Sequence, residues 1–187
     1  IHLNQILLLM VPVSYLIGSI PVGLIIGKLK AGIDIRKHGS QSTGATNALR
    51  ILGTKSAILV LILDFLKGAI PIFCLSLVDE INSNNAIFTA ICGIAIIFGH
   101  NWPIFAGFKG GKGVASAVGI ATVLNPLSAL AAILTFLPIL FITKYVSLGS
   151  ILGAIIAMII FDEKFMIYHI WGAIFIIAGI TLSNKKN

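Results

Sequence analysis

The sequence predicts an all-α membrane protein, a polytopic bundle of seven transmembrane helices that forms a single domain over residues 1–187. Hydrophobic residues make up 58% of the chain and charged residues only 10%, whereas about a quarter of the residues in a soluble domain are charged. The net charge of +7 lies almost entirely in short loops between apolar segments, which is typical of membrane topology. We therefore expect a membrane partner and no nucleic acid.

Six apolar segments are clear candidates for spans, because a helix needs roughly 20 apolar residues to cross a bilayer. They are residues 3–27, 56–78, 86–99, 127–143, 147–161 and 168–183. The first of these segments has no basic region before it and no small-residue cleavage site after it, so we interpret it as a span and not as a signal peptide.

A seventh span is predicted at Val114–Leu124, which is short and ends at an Asn-Pro pair. With seven spans and the N-terminus outside, 11 of the 13 Lys and Arg residues lie on the cytoplasmic side. With six spans, Lys144, Lys185 and Lys186 would lie outside, against the positive-inside tendency. The loop charges therefore favour seven spans and a cytoplasmic C-terminus.

The loop after the first span, residues 32–53, reads GIDIRKHGSQSTGATNALRILG and combines glycines and hydroxyl residues with Arg36, Lys37 and Arg50. Such a loop can direct backbone N–H groups at an anion while Arg makes two-point contacts with phosphate oxygens. The same residues also fit a solvated basic loop that binds anionic lipid headgroups. The residues alone favour neither interpretation.

A second loop, residues 99–116, reads GHNWPIFAGFKGGKGVAS and places Lys109 and Lys112 among glycines just before an apolar helix. The N–H groups and dipole of that helix start, together with two ammonium groups, favour an anion. The spacing of the glycines and the absence of Ser or Thr after Lys112 exclude a nucleotide-binding P-loop. Trp102 and its Phe neighbours also fit an interfacial aromatic belt.

Polar residues elsewhere have two interpretations each. Asp64 and Lys67 stand one helical turn apart within the second span, so they either neutralise each other or face a polar cavity. Ser147 and Ser150 begin the sixth span and could cap it or contact a phosphate. His100 adjoins the second loop and could act as a general base or as a structural hydrogen-bonding group.

The two cysteines, Cys74 and Cys92, lie in apolar segments without a CxxC spacing or a histidine nearby in sequence. This pattern favours packing roles over a disulfide or a metal site. We therefore expect no metal and no cofactor.

Five segments carry a resemblance to a known family, and they are distributed within residues 14–151, a stretch of about three quarters of the chain. They are GSIPVGLIIGK, DIRKHGSQSTGATNALR, DFLKGAIP, GHNWPIFAGFKGGKGVAS and KYVSLGSI. In their order and topology they resemble the bacterial acyl-phosphate-dependent glycerol-3-phosphate acyltransferases. The resemblance implies transfer of a fatty acyl group from acyl phosphate to the 1-hydroxyl of glycerol 3-phosphate, without acyl-CoA or metal, at the cytoplasmic face of the bacterial inner membrane.

The resemblance also implies the site residues. Arg50 and Lys112 would be catalytic, with His100 as an orienting group or a weak base. The substrate-binding residues would be Ser40, Thr46, Asn47, Lys67, Lys109, Gly110, Gly111, Gly113, Ser147 and Ser150. The products would be lysophosphatidic acid and phosphate, as in the first step of phospholipid synthesis, while the acyl-chain preference and the oligomeric state stay open.

Two segments depart from this family. Its usual GSGN is GSQS here, with Gln41 and Ser42 in place of Gly and Asn. The family's basic C-terminal segment, with a His, an Asn-Ile-x-Arg-Leu run and a Glu, has no counterpart in residues 161–187, which resemble the closing helix of drug/metabolite transporters. We therefore treat residues 1–160 as acyltransferase-like and residues 161–187 as divergent. The alternative functions are a small transporter or an inactive lipid-phosphate-binding membrane protein.

Overall fold

The computed structural model describes residues 2–79 and 86–160, and the regular elements in these two ranges are all helical. The α-helices are α1 (His2–Gly18), α2 (Val22–Ala31), α3 (Ala45–Leu52), α4 (Thr54–Asp79), α5 (Ala86–Asn101), α6 (Val114–Leu124), α7 (Pro126–Thr143) and α8 (Val146–Ile160). Two short 3-10 helices lie at Ile35–Lys37 and Ile104–Ala106. The all-α prediction is confirmed over these ranges, whereas the predicted span 168–183 and the divergent segment 161–187 lie outside them.

The first predicted span is wrong in one respect, because residues 3–27 do not form one continuous helix. Helix α1 ends at Gly18 and helix α2 begins at Val22. Pro21 lies between them, and its ring disfavours a helical conformation of the residue before it and cannot donate a hydrogen bond. The chain nevertheless continues as an apolar segment, Leu9–Ala31, that is long enough to cross a membrane.

Four helical segments in the described ranges are long and apolar enough to span a bilayer, namely Leu9–Ala31, Thr54–Leu77, Ile87–Ala106 and Pro126–Thr143. The apolar helices α6 and α8 are shorter. These segments confirm the membrane class. The total of seven spans and their orientation stay predictions.

Close helix crossings at glycines build the bundle. Where α1 crosses α5, a Cβ atom added at Gly18 would overlap the carbonyl group of Ile96, and one added at Gly99 would overlap the carbonyl oxygen of Tyr15. Small residues that allow backbones to touch are a common packing device in membrane helices. The crossing brings the end of α1 against the end of α5, where the second loop begins.

Helices α4 and α6 cross in the same reciprocal way. A Cβ atom added at Gly68 would overlap the carbonyl oxygen of Ser116, and one added at Gly119 would overlap that of Phe65. These contacts place the first turns of α6 directly against the middle of α4. A polar group on either helix at this level can therefore reach the other.

Side chains of α4 are distributed as expected for a membrane helix, with apolar groups outside and charged groups inside. Leu61 and Ile62 are 50% and 48% exposed, whereas Asp64 and Lys67 are 2% and 9% exposed. Charged side chains within a membrane are costly and face the interior of a bundle. The buried charges thus mark the polar centre of this fold.

Candidate functional site

The first loop, residues 32–53, begins with an ion pair that links it to the second loop. The Asp34 carboxylate accepts hydrogen bonds from the backbone N–H and the side chain of Arg36, with 2.7 Å between Nη2 and Oδ2. The other terminal nitrogen of Arg36 donates to the carbonyl oxygen of Ala106. Arg36 is therefore a structural connection between the two loops.

This pair predicts a pH-dependent contribution to stability. The side-chain hydrogen bond from Arg36 lowers the pKa of Asp34 from 3.8 to about 2, so the ionised carboxylate stabilises the fold above about pH 4, and the contribution disappears as the pH falls towards 2. Asp34→Asn should lower the melting temperature in detergent near neutral pH, and its difference from the wild type should shrink between about pH 4 and 2. A constant difference across that range would contradict this assignment.

Asn47 organises the interior of the first loop. Its side-chain nitrogen donates to the carbonyl oxygens of Ile35, at 2.8 Å, and Ser42, at 2.9 Å. Its side-chain oxygen accepts from the backbone N–H of Ser40 at 2.9 Å. Asn47 is completely buried, and its amide makes all three of these bonds within the loop. Its geometry is that of a loop-organising residue.

Three other predicted residues of this loop are exposed to the outside of the fold. Ser40 is exposed, and so are Thr46 and Arg50 of helix α3. Because Thr46 and Arg50 are four residues apart in α3, they lie on the same face. Their side chains are available to an external ligand.

Gln41 occupies a backbone conformation that suits glycine, with a φ of +56°. This is one of the two positions at which the chain departs from the GSGN pattern. A residue with a Cβ atom is strained in the left-handed region by about 1 kcal/mol relative to glycine. The substitution of Gly by Gln therefore keeps the turn but adds a cost to it.

We expect Gln41→Gly to stabilise the loop by up to about 1 kcal/mol and to raise the melting temperature in detergent by about 2–4 °C. Lys37→Gly is the matched control, since it introduces glycine in the neighbouring 3-10 helix, where extra backbone freedom can only destabilise. A melting temperature of Gln41→Gly that is equal to or below that of the wild type, or a gain equal to that of Lys37→Gly, would contradict the strain at Gln41.

The two glycine-containing loops contact each other through their backbones. The N–H of Thr43 donates to the carbonyl oxygen of Gly110 at 3.3 Å, and the N–H of Gly111 donates to the carbonyl oxygen of His100 at 3.1 Å. A Cβ atom added at Gly111 would overlap Nε2 of His100. The predicted glycines thus form a thin layer of backbone between the first loop and the His100 ring.

The second loop ends at the start of helix α6. Gly113 precedes this helix with a φ of +74° and has no side chain to cap it, so the first N–H groups of α6 suit an anion. Lys112 is exposed, and its Nζ donates to Oγ of Ser147 at 3.0 Å. Lys112 and Ser147, which are both predicted site residues, are therefore in contact, although α6 and α7 lie between them in the chain.

Two further predicted residues lie near this end of the bundle without sharing that contact. Lys109 is exposed. Ser150 uses its hydroxyl group within α8, where Oγ donates to the carbonyl oxygen of Val146 at 2.8 Å. Ser150 thus satisfies its hydroxyl group locally in this structure.

A buried polar cluster lies behind the glycine layer. Oδ1 of Asp64 is 2.8 Å from Nζ of Lys67 and 3.6 Å from Nδ1 of His100. Oγ of Ser116 donates to the carbonyl oxygen of Asp64 at 2.9 Å and lies 3.4 Å from Nδ1 of His100. The Asp64 and Lys67 side chains thus neutralise each other, which is one of the two arrangements expected from their spacing.

Lys67 and His100 both direct their polar atoms into this cluster. Nζ of Lys67 also donates to the carbonyl oxygen of Ile20, in the break between α1 and α2, at 3.0 Å. His100 is 5% exposed, with Nδ1 towards Asp64 and Nε2 against Gly111. This placement agrees better with an orienting role of His100 than with proton abstraction.

Ser116 is a member of the buried cluster that was not among the predicted site residues. The sequence could have indicated Ser116, because it is a hydroxyl residue in the first turn of an apolar helix that follows a glycine-rich loop. A hydroxyl group buried there needs a hydrogen-bond partner. Within residues 2–79 and 86–160, no three His, Cys, Asp or Glu side chains gather in a way that could hold a metal ion.

Apolar helices that enclose buried charges and open towards two basic, glycine-rich loops define an integral membrane protein with a candidate anion site.

The chain belongs to the glycerol-3-phosphate acyltransferase family, whose model matches residues 8–187. A glycerol-3-phosphate acyltransferase of Shouchella clausii is 47% identical over 147 residues, which cover 78% of this chain and 70% of that protein. The enzyme of the same name from Alkaliphilus metalliredigens is 41% identical over 173 residues, covering 92% and 86%. The chain is therefore an acyltransferase, as the resemblance predicted.

Solved structures support the same family assignment. The glycerol 3-phosphate form of PlsY (YgiH), an integral membrane glycerol 3-phosphate acyltransferase, superposes with a TM-score of 0.79 at 40% identity and covers 97% of this chain and 89% of that one. Its lysophosphatidic acid form gives a TM-score of 0.76. The family match extends to residue 187, and the predicted divergence of residues 161–187 stays a prediction.

Proposed function

We propose that the protein transfers a fatty acyl group from acyl phosphate to the 1-hydroxyl of glycerol 3-phosphate, giving lysophosphatidic acid and phosphate. The observation that carries this proposal is the contact between two basic, glycine-containing loops, through Thr43 and Gly110. These loops carry the exposed cations Arg50, Lys109 and Lys112. Both substrates are phosphate anions, and these groups suit phosphate. The glycerol 3-phosphate form of the PlsY neighbour supports the acceptor.

The proposed reaction needs little acid–base chemistry from the protein. The 1-hydroxyl oxygen attacks the acyl carbonyl carbon, the bond from that carbon to the phosphate oxygen breaks, and phosphate leaves with the electron pair. The hydroxyl proton passes to a phosphate oxygen. Because the leaving group is already activated, the protein contributes mainly by holding two anions together and offsetting their charge.

The proposed roles are taken from the resemblance and are supported by which side chains are exposed and which are buried. Arg50 and Lys112 offset the developing charge and are catalytic, and Lys109, Gly110, Gly111 and Gly113 hold glycerol 3-phosphate with Ser40 and Thr46. Ser147 and Ser150, near the start of α8, complete the proposed site. Asn47 acts from within the first loop, and Lys67 and His100 act from behind the loops, since each of the three is buried and bonded to neighbouring protein groups.

The proposed topology has seven spans, the N-terminus outside and the site on the cytoplasmic face of the bacterial inner membrane. The contact of Thr43 with Gly110 supports it, because two spans separate these loops and return the chain to the same side. The contact of Lys112 with Ser147 supports counting α6 and α7 as two crossings. A single kinked crossing would take Ser147 to the opposite side.

The test is an assay of purified protein in detergent with acyl phosphate and glycerol 3-phosphate, in which lysophosphatidic acid and phosphate should form in equal amounts. Acyl-CoA serves as the control donor and should give no product. Absence of product from folded protein would refute the proposal. Counterflow of a phosphorylated solute in proteoliposomes, without acyl transfer, would instead favour the transporter alternative.

A further inference from the structure

We propose that Asp64 is a positioning residue for glycerol 3-phosphate, which acts through His100 on the glycine layer of the second loop. The inference rests on the proposed function, since that loop is the proposed site of the substrate phosphate. Asp64 itself lies below the loop within α4 and is 2% exposed, so it acts on the site only through its neighbours.

Asp64 lies at a junction of three helices, α4, α5 and α6. Its carboxylate lies 3.6 Å from Nδ1 of His100, on α5, and its backbone carbonyl accepts the hydroxyl group of Ser116, on α6, at 2.9 Å. Ser116 is also 3.4 Å from the same His100 nitrogen. Asp64 and Ser116 thus lie against one edge of the imidazole ring, from two different helices.

The His100 ring also contacts the second loop. The opposite edge of the His100 ring lies against Gly111, where even a Cβ atom would overlap Nε2, and the His100 carbonyl oxygen accepts the N–H of Gly111. The position of the ring therefore sets the position of Gly111. The next residue is Lys112, so a displaced ring would move the ammonium group and the N–H groups that face the phosphate.

The Asp64 carboxylate also carries a charge that Lys67 balances. Lys67 balances the Asp64 carboxylate at 2.8 Å and also donates to the carbonyl oxygen of Ile20. Removal of one member of a buried ion pair leaves the other charge uncompensated, which is strongly destabilising. A test of Asp64 therefore has to separate positioning through His100 from charge balance with Lys67.

The experiment compares Asp64→Asn with His100→Gln, which leaves the ion pair of Asp64 and Lys67 in place. Both variants should raise the KM for glycerol 3-phosphate by about 10- to 100-fold, since small displacements of positioning groups have effects of this size. The KM for acyl phosphate should stay within about twofold, because the coupling reaches only the glycine layer. Since both substitutions disrupt one coupling, their combination should add little to either alone.

Asp79→Asn is the matched control, because it is the same substitution at the far end of the same helix, and it should leave both KM values unchanged. If Asp64→Asn does not fold, His100→Gln still tests the coupling, because Asp64 is proposed to act only through this ring. A wild-type KM for glycerol 3-phosphate in His100→Gln, or an equal loss for both substrates, would overturn the inference. An inactive wild-type protein would instead refute the proposed function.

Discussion

Lys112→Ala is expected to lower kcat/KM by about 10²- to 10³-fold, the range found when one group that stabilises transition-state charge is removed. Lys112 is exposed at the start of α6, with its Nζ 3.0 Å from Oγ of Ser147. Its ammonium group is thus held in place beside helix N–H groups that also suit an anion. Alanine would remove this charge and leave the backbone of the loop intact.

The measurement is steady-state kinetics with each substrate varied in turn, on protein whose melting temperature matches the wild type. Lys30→Ala is the matched control, because it removes an equal charge from an exposed lysine in the last turn of α2 and should leave kcat/KM within about twofold of the wild type. A Lys112→Ala enzyme as active as Lys30→Ala would remove Lys112 from the proposed site.

Gly119→Leu is expected to have the largest effect on stability. A Cβ atom at this position overlaps the carbonyl oxygen of Phe65, and backbone cannot rotate aside as a side chain can. Overpacking in a well-packed interior costs about 1–3 kcal/mol or more, and here it would separate α4 from α6. Because Ser116 lies one turn earlier in α6, the buried cluster would be displaced as well.

The measurement is thermal unfolding in detergent together with the yield of monodisperse protein. Gly32→Asn is the control, since no atom lies within 4 Å of a Cβ atom added there and asparagine tolerates the positive φ of this position. A melting temperature of Gly119→Leu equal to that of Gly32→Asn would show that the crossing is looser than described.

The sequence predicted the broad fold well because its signals are local. Apolar length predicts membrane helices, and the structure has helices in the described parts of the predicted spans. The break at Pro21 was missed, although proline is a local signal, because the apolar character continues on both sides of it. The crossings at Gly68 and Gly119 could not be predicted, since each depends on a backbone carbonyl about fifty residues away in the chain.

The site was predictable in its exposed part and not in its buried part. Lys112 and Arg50 follow from basic, glycine-rich loops, and the structure leaves both exposed. The direction of the His100 ring depends on Asp64 and Ser116, which come from two other helices, so position in the sequence left its role open. Asn47 was predicted to bind substrate, but its amide makes three hydrogen bonds within its own loop, which only the folded loop reveals.

The hydrogen bond from Lys67 to Ile20 has a consequence for biogenesis. The break before Pro21 leaves the carbonyl oxygen of Ile20 with one local donor, the N–H of Val22, and Lys67 adds a second donor where backbone groups need partners within the protein. The second span carries Lys67 together with Asp64 as a charged pair, and charged groups within a membrane are costly. Contact between the two segments therefore gives the Lys67 ammonium group a second partner besides Asp64. We expect the first two hydrophobic segments to leave the insertion machinery as a pair, so that a break in one nascent helix assists the integration of the next.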